Sequence, residues 1–207
     1  MPELNIEKIR LILDETHILR EKALKLSRET IRFCANSIRA SHRQEFEKAD
    51  ELIAEARNRV LDVKEMLKDK PEIYYTGYVL DAQKEYGEAV LTNTIIKELD
   101  FPTFEDLGIE AAVYLNSLAE AAGETRRYSL DELRRGNMQK AEKALEVMDD
   151  IYYMLITIDY PDAITQGLRR HTDMVRGVLE KTRSEITLIK QQQNLENKLK
   201  EAIDKLG

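Results

Sequence analysis

The stretch that decides the fold runs from Phe46 to Leu67 and reads Phe-Glu-Lys-Ala-Asp-Glu-Leu-Ile-Ala-Glu-Ala-Arg-Asn-Arg-Val-Leu-Asp-Val-Lys-Glu-Met-Leu. Its apolar residues recur at alternating intervals of three and four, which places them on one face of an α-helix. That face has to pack against another helix to leave water. The residues of this stripe are Phe46, Ala49, Ile53, Ala56, Val60, Val63 and Leu67.

The rest of the chain has the composition of long helices. Glycine (8 residues) and proline (4 residues) are scarce, and Glu, Lys, Leu and Ala dominate. Helical spacing of apolar residues continues nearly throughout, and no strand pattern competes with it. We therefore expect an all-α fold, organised as a single domain over residues 1–207.

Breaks in the pattern divide the chain into seven predicted helices. Proline-containing breaks lie at Asp69-Lys70-Pro71, Asp100-Phe101-Pro102 and Tyr160-Pro161-Asp162. Thr103 and Asp106 form a capping pattern, and Ser129 with Glu132 forms another, which predicts a short helix ended by Gly136. The predicted helices cover about 3–43, 44–68, 73–99, 109–125, 129–136, 138–158 and 162–204.

Two of these helices, the second and the seventh, carry long apolar stripes. In one small bundle part of such a stripe stays exposed, and exposed apolar stripes mark association surfaces. We therefore expect a homo-oligomer.

Several classes of protein are excluded or disfavoured. No stretch approaches ~20 apolar residues, so no membrane span is predicted. The N-terminus lacks a signal-peptide pattern, and the single cysteine, Cys34, gives no disulfide framework. We expect Cys34 to be a buried small hydrophobe and the protein to be cytoplasmic.

Two pairs of acids carry the chemical prediction. Glu85 and Glu88 are three residues apart, and Glu120 and Glu124 are four apart, so each pair shares one helix face. Like charges so placed repel each other, and a divalent cation relieves that repulsion. Four oxygen donors suit Mg²⁺ or Mn²⁺, which points to metal-assisted hydrolysis of a phosphodiester. In a chain with 34% charged residues, a plain solvated helix face remains the competing interpretation.

A local excess of positive charge stands out in an acidic chain of net charge −7. Residues 20–43 hold seven Lys or Arg residues against two acids, Glu21 and Glu29. Such a face attracts phosphates, although basic residues paired with acids of neighbouring helices would look the same. The candidate RNA-binding residues are Lys25, Arg28, Arg32, Arg39, His42 and Arg43.

Four segments of the chain, in order, resemble the translin/Trax family, and specifically its Trax branch. The first lies on the first helix and the second contains the pattern E-Y-x-E-A-V. The third is a Leu-Gly-Ile element, and the fourth is similar to Y-L-x-x-x-A-D-x-x-G-E-x-x-R. In this chain they are Leu24 to Thr30, Tyr74-Tyr75 with Glu85 to Val90, Thr103 to Ile109, and Tyr114 to Arg127.

The resemblance implies a function and a set of site residues. The catalytic glutamates of Trax correspond to Glu85 and Glu88, and a further metal-holding acid corresponds to Glu124. The catalytic aspartate corresponds to Glu120, which is one methylene longer. The implied activity is a Mg²⁺-dependent endoribonuclease that binds and cuts single-stranded RNA, or a short duplex, inside a hollow shell.

The resemblance also implies an assembly and a fold. Each subunit would be a bundle of seven long antiparallel helices, and the assembly an octamer. A homo-oligomer of the archaeal type fits best, because the chain lacks the N-terminal extension of eukaryotic Trax.

Two other functions remain open. The first is a non-catalytic scaffold of translin type that binds RNA or single-stranded DNA. The second is an all-α nucleoside triphosphate pyrophosphatase, which also pairs an E-x-x-E motif with a second acid pair. A ferritin-like di-iron protein is discounted, because it needs Glu-x-x-His pairs and this chain has none.

Overall fold

The computed structural model describes residues 5–205, which form helices and connecting turns without a strand. Six helices are long and three are single turns of four residues. The long helices are α1 (Ile6–His42), α2 (Phe46–Met66), α4 (Gly77–Ile96), α6 (Ala111–Arg134), α7 (Met138–Ile156) and α9 (Leu168–Asp204). The single turns are α3 (Pro71–Tyr74), α5 (Phe104–Leu107) and α8 (Asp162–Thr165). The all-α prediction is confirmed.

The described residues group into two compact units. The first unit contains residues 5–93 and 102–117, and the second contains residues 94–101 and 118–205. Helices α4 and α6 each contribute to both units. The prediction of one domain over residues 1–207 stays a prediction.

The first unit is built on an antiparallel pair, α1 and α2. The Ser37 hydroxyl donates to the Ala49 carbonyl at 3.0 Å, and Arg59 pairs with Glu29 at 3.6 Å. In these two contacts the residue number falls on α1 while it rises on α2, so the two helices are antiparallel. Gln44 makes the tight connection with a φ of 61°.

The predicted apolar stripe from Phe46 to Leu67 is confirmed as the packing face of α2. Five of its residues are buried, and Phe46 and Ile53 are partly buried: the buried ones are Ala49, Ala56, Val60, Val63 and Leu67. One core cluster joins this face to α1, α4 and the start of α6. It contains Cys34, Ile38, Ala56, Val60, Tyr86, Ala89, Leu107, Ile109 and Val113.

The predicted cap at Thr103 is also confirmed. Its hydroxyl accepts from the Asp106 amide at 3.2 Å, and the Asp106 carboxylate accepts from the Thr103 amide at 2.9 Å. Gly108 ends this turn with a φ of 71°, a left-handed conformation that glycine adopts without strain.

The prediction of a separate short helix over 129–136 is wrong, because α6 continues unbroken to Arg134. Ser129 does not cap a helix: it is fully buried, and its hydroxyl donates to the Ala141 carbonyl at 3.1 Å. Gly136, with a φ of 82°, follows the end of α6 as predicted.

Two predicted helices are each divided. The third begins as α3 and restarts at Gly77, where the Thr76 hydroxyl donates back to the Ile73 carbonyl at 2.6 Å. The seventh is divided into α8 and α9 at Gln166 and Gly167, whose φ values of 55° and 82° leave the helical region.

The second unit contains a second antiparallel pair, α7 and α9. Arg183 donates to Asp149 at 2.7 Å, and Lys190 pairs with Glu142. Arg126 of α6 joins α9 through Thr182 at 2.5 Å and Glu185 at 2.9 Å. Among the described helices, none has a stretch long and apolar enough to cross a membrane.

Candidate functional site

Helix α4 carries the first predicted acid pair on its less buried side. Glu85 and Glu88 are both partly buried, whereas Tyr86, Gly87 and Ala89 are buried. Glu85 and Glu88 therefore lie at the boundary between the core and the surface. A third acid, Asp81, is exposed one turn before Glu85 on the same side of the helix. Sequence reasoning missed Asp81, although its i, i+4 spacing to Glu85 was available as a signal.

The thiol of Cys34 lies in the same core cluster as Tyr86 and Ala89, the neighbours of this acid pair on α4. Cys34 is fully buried. Burial raises the pKa of Cys34, and the negative charges of Glu85 and Glu88 raise it further. Cys34 stays a protonated, inert thiol, which confirms its prediction as a buried small hydrophobe.

The turn that holds this pair is in close contact with α6. The Ser117 hydroxyl lies 2.9 Å from the Lys84 carbonyl oxygen and 3.0 Å from that of Val113, so it shares its proton between α4 and its own helix. Next to it, a Cβ atom added at Gly87 would lie 2.3 Å from the Ser117 Oγ.

Helix α6 carries the second acid pair in an apolar setting. Glu120 and Glu124 are partly buried. Arg127, one turn further, donates to Glu124 at 3.4 Å and is half exposed. The buried neighbours of the pair along the helix are Leu118, Ala119, Ala121 and Ala122.

The structure therefore brings the acids together as two pairs on two helices. Glu85 and Glu88 belong to the first unit, and Glu120 and Glu124 belong to the second. Within residues 5–205, no group of three or more His, Cys, Asp or Glu side chains is arranged to hold a metal ion. The convergence of all four glutamates on one ion stays a prediction.

A polar network that sequence reasoning missed lies at the start of α4 and α6. The Tyr74 hydroxyl donates to Glu110 at 3.0 Å, and Tyr74 is also hydrogen-bonded to Gln83. Burial raises the pKa of Tyr74 to about 12, against the opposing effect of Gln83. Tyr74 belongs to the segment that also contains the E-Y-x-E-A-V motif. The network therefore links that segment to Glu110, the residue before α6.

The predicted basic residues form one strip along α1. At 100° per residue, five of them fall within about 60° of the helix circumference. All five are exposed: Lys25, Arg28, Arg32, Arg39 and Arg43. We call this set the α1 basic strip.

Three of these cations already have partners. The Arg32 guanidinium lies 5.5 Å from the centre of the Phe33 ring. Arg39 donates to Asn36 at 2.8 Å, and Arg43 donates to Glu45 at 2.7 Å, which raises the pKa of Arg43. His42 differs from the strip because it is buried, with 7% of its surface exposed. The role of all six residues in RNA binding stays a prediction.

Comparison with known proteins finds relatives of this chain. No family model matches the chain. An uncharacterised protein of Methanocaldococcus jannaschii is 32% identical over 187 residues, which cover 88% of this chain and 81% of the relative.

Three solved structures are similar over most of the chain. AfC3PO, from Archaeoglobus, is 35% identical in its complex with duplex RNA and 34% identical in a second crystal structure, with TM-scores of 0.84 and 0.85. Each comparison covers 91% of this chain and 98% of the other. Apo-NeC3PO is 26% identical with a TM-score of 0.82, and this comparison covers 91% of this chain and 97% of the other.

C3PO is of the translin/Trax type, so these similarities agree with the motifs on α1, α4 and α6. The chain belongs to the translin/Trax family.

Proposed function

We propose that this protein is a metal-dependent endoribonuclease that binds RNA along the α1 basic strip and cuts it with clustered glutamates. The observation that carries the proposal is that Glu85, Glu88, Glu120 and Glu124 are all partly buried, each pair beside buried residues of its own helix. Partial burial argues against a plain solvated face, because glutamates on such a face are fully exposed.

RNA binding is supported by charge and by a relative. The α1 basic strip offers exposed cations on one side of a helix, which suits contact with a phosphate backbone and reads no base sequence. AfC3PO, 35% identical to this chain, has been solved with duplex RNA. We therefore propose RNA as the partner, either single-stranded or a short duplex.

The donor chemistry of the four acids fits Mg²⁺ or Mn²⁺. All four are carboxylates, which these hard cations prefer over nitrogen or sulfur donors. Glu85, Glu88, Glu120 and Glu124 would hold the ion, and the ion would supply Lewis-acid activation of the phosphate and of water.

The chain's own residues would supply positioning and proton transfer. The cations of the α1 basic strip hold the RNA backbone, so the strand is fixed before it is cut. One glutamate that is not committed to the metal accepts the proton of the attacking water. No histidine is needed for this chemistry.

Association of several copies is supported by exposed apolar side chains. Several of them lie at the N-terminal part of α1 and the C-terminal part of α9. The expectation that α2 also exposes its stripe is wrong, because that stripe is buried against α1, α4 and the start of α6. The exposed residues include Ile9, Ile12, Leu13, Leu188, Leu195, Leu199 and Ile203. We propose a homo-oligomer, and the family resemblance implies an octamer.

The test separates cutting from binding. Replacing Glu85 and Glu88 by glutamine keeps their size and removes the negative charge. We expect Mg²⁺-dependent cleavage of a labelled RNA to be lost, while binding measured without metal is retained or improved. Glu65→Gln is the matched control, because its side chain is 80% exposed on α2. A double variant that cuts as fast as the wild type would contradict the proposal.

One observation favours a second candidate, a non-catalytic RNA-binding scaffold. Within the described part of the chain, no three acids are already arranged around a metal position. A wild-type protein that binds RNA but cuts neither single-stranded nor duplex RNA with Mg²⁺ or Mn²⁺ would establish this candidate. Hydrolysis of nucleoside triphosphates, assayed beside RNA, tests the pyrophosphatase alternative.

A further inference from the structure

The contact between Gly87 and Ser117 is the tightest approach that a glycine makes in the described part of the chain. A Cβ atom added at Gly87 would lie 2.3 Å from the Ser117 Oγ, 2.7 Å from its Cβ and 3.2 Å from the Ile109 Cδ1. Real Cβ atoms do not approach other atoms this closely. Only glycine therefore allows α4 to lie at its present distance from α6.

Ser117 is not free to move out of the way. It is fully buried, and its hydroxyl is shared between the carbonyl oxygens of Lys84 and Val113. A side chain at position 87 would have to push the α4 backbone away by about 1 Å to reach ordinary van der Waals contact.

The hydrogen bond from Ser117 falls on the turn that carries the acid pair. In an α-helix the Lys84 carbonyl also accepts from the amide of Glu88, four residues later. Ser117 therefore ties the turn from Lys84 to Glu88, which contains both glutamates, to α6. The family motif leaves the position of Gly87 open, so the resemblance does not account for this glycine.

We propose that Gly87 and Ser117 are positioning residues for the proposed cleavage: their contact fixes the turn of Glu85 and Glu88 against α6. The inference rests on the proposed nuclease function. Neither residue touches the reacting atoms, and each acts through the backbone of that turn. Misplacement of a catalytic group by about 1 Å costs on the order of 100-fold in rate.

The experiment is a rescue in the full-length protein. Gly87→Ala should lower kcat by about 100-fold. It should leave the KM for RNA unchanged, because the α1 basic strip is untouched. Adding Ser117→Gly removes both the Oγ and the Cβ that the new methyl group meets, so the double variant should recover most of the lost kcat. Ser117→Ala alone, which removes only the hydrogen bond, should lose less than Gly87→Ala.

Gly77→Ala is the matched control, because the same substitution at the start of α4 meets nothing within 4 Å. It should cut at the wild-type rate. Helix content measured by circular dichroism shows whether each variant is folded. If Gly87→Ala alone does not fold, the kcat values of the double variant and of Ser117→Ala still test the inference.

The outcomes separate this inference from the proposed function. A wild-type protein that never cuts RNA overturns the proposed function, and this inference with it. A wild-type protein that cuts, together with a Gly87→Ala variant that is equally active, overturns only the positioning role. A folded Gly87→Ala variant whose loss is not relieved by Ser117→Gly also overturns it.

Discussion

Glu132 is the acid that the structure buries completely, and its role was misread from the sequence. Its carboxylate accepts from Arg135 at 2.6 Å and from Asn137 at 2.7 Å, and 0% of the residue is exposed. Both donors are side chains of residues just beyond the end of α6. The pattern from Ser129 to Glu132 resembles an N-terminal capping box, but here it lies near the C-terminal end of α6.

Removing this carboxylate should destabilise the protein. Glu132→Ala removes a fully buried side chain together with its hydrogen bonds from Arg135 and Asn137, and we expect a loss of about 2 kcal/mol in the free energy of unfolding. Urea unfolding at fixed protein concentration measures it. Glu65→Ala, at an exposed site, should change stability by less than about 0.5 kcal/mol. Equal effects for the two variants would contradict the burial argument.

Tyr86 makes stability depend on pH in the alkaline range. Burial raises its pKa to about 12, above the ordinary value of 10.0. The unfolded state therefore loses its proton first, and the stability contributed by the neutral phenol is present below pH 10 and lost as pH rises towards 12.

Tyr86→Phe should make this alkaline fall in stability shallower, because phenylalanine has no proton to lose. Part of the dependence of stability on pH should remain in this variant, because burial also raises the pKa of Tyr74. Unfolding free energies measured between pH 9 and 12 test the prediction, with the exposed Tyr153→Phe as the control. An unchanged slope in Tyr86→Phe would contradict it.

At the scale of the helices, α1 divides its surface between two tasks. One side is buried against α2 and α4, and the opposite side presents the α1 basic strip. The salt dependence of RNA binding tests the second task, because each phosphate contact on a single strand contributes about 0.7 to the slope of log K against log salt.

Arg28→Gln combined with Arg32→Gln should weaken binding to all RNA sequences alike and lower the salt slope by about 1.4. Lys68→Gln, an exposed residue just after α2 and outside the α1 basic strip, is the control and should leave the slope unchanged. A slope that stays at the wild-type value in the double variant would show that these two arginines do not contact phosphates.

The helices also show what a sequence can and cannot predict. The buried face of α2 could be predicted because one periodic pattern fixes it. The cap at Thr103 could be predicted because its two partners lie within four residues of each other. The hydrogen bonds of Ser129 and Ser117 could not be predicted, because their acceptors, Ala141 and Lys84, are 12 and 33 residues away along the chain.

The candidate site was predictable to a similar degree. Glycine and serine carry no chemical signal of their own, so nothing in the sequence marks Gly87 and Ser117 as a contact. The exposed cations of α1 follow from helical spacing, but the burial of His42 does not, because it depends on what packs against the end of α1.

At the scale of the whole molecule, the proposed RNA cleavage depends on carboxylates of α4 and α6 binding one divalent ion. The second acid pair departs from the family pattern at Glu120, whose longer side chain still offers the same donor atoms. The two pairs belong to different units. Metal binding is separable from RNA binding, which depends on α1.

The most direct test is a crystal structure of the protein with Mn²⁺, inspected for anomalous scattering from manganese. We expect a peak at about 2.0–2.3 Å from carboxylate oxygens of both the Glu85–Glu88 pair and the Glu120–Glu124 pair. A fully occupied Mn²⁺ site elsewhere, or no peak near either pair at millimolar Mn²⁺, would contradict it.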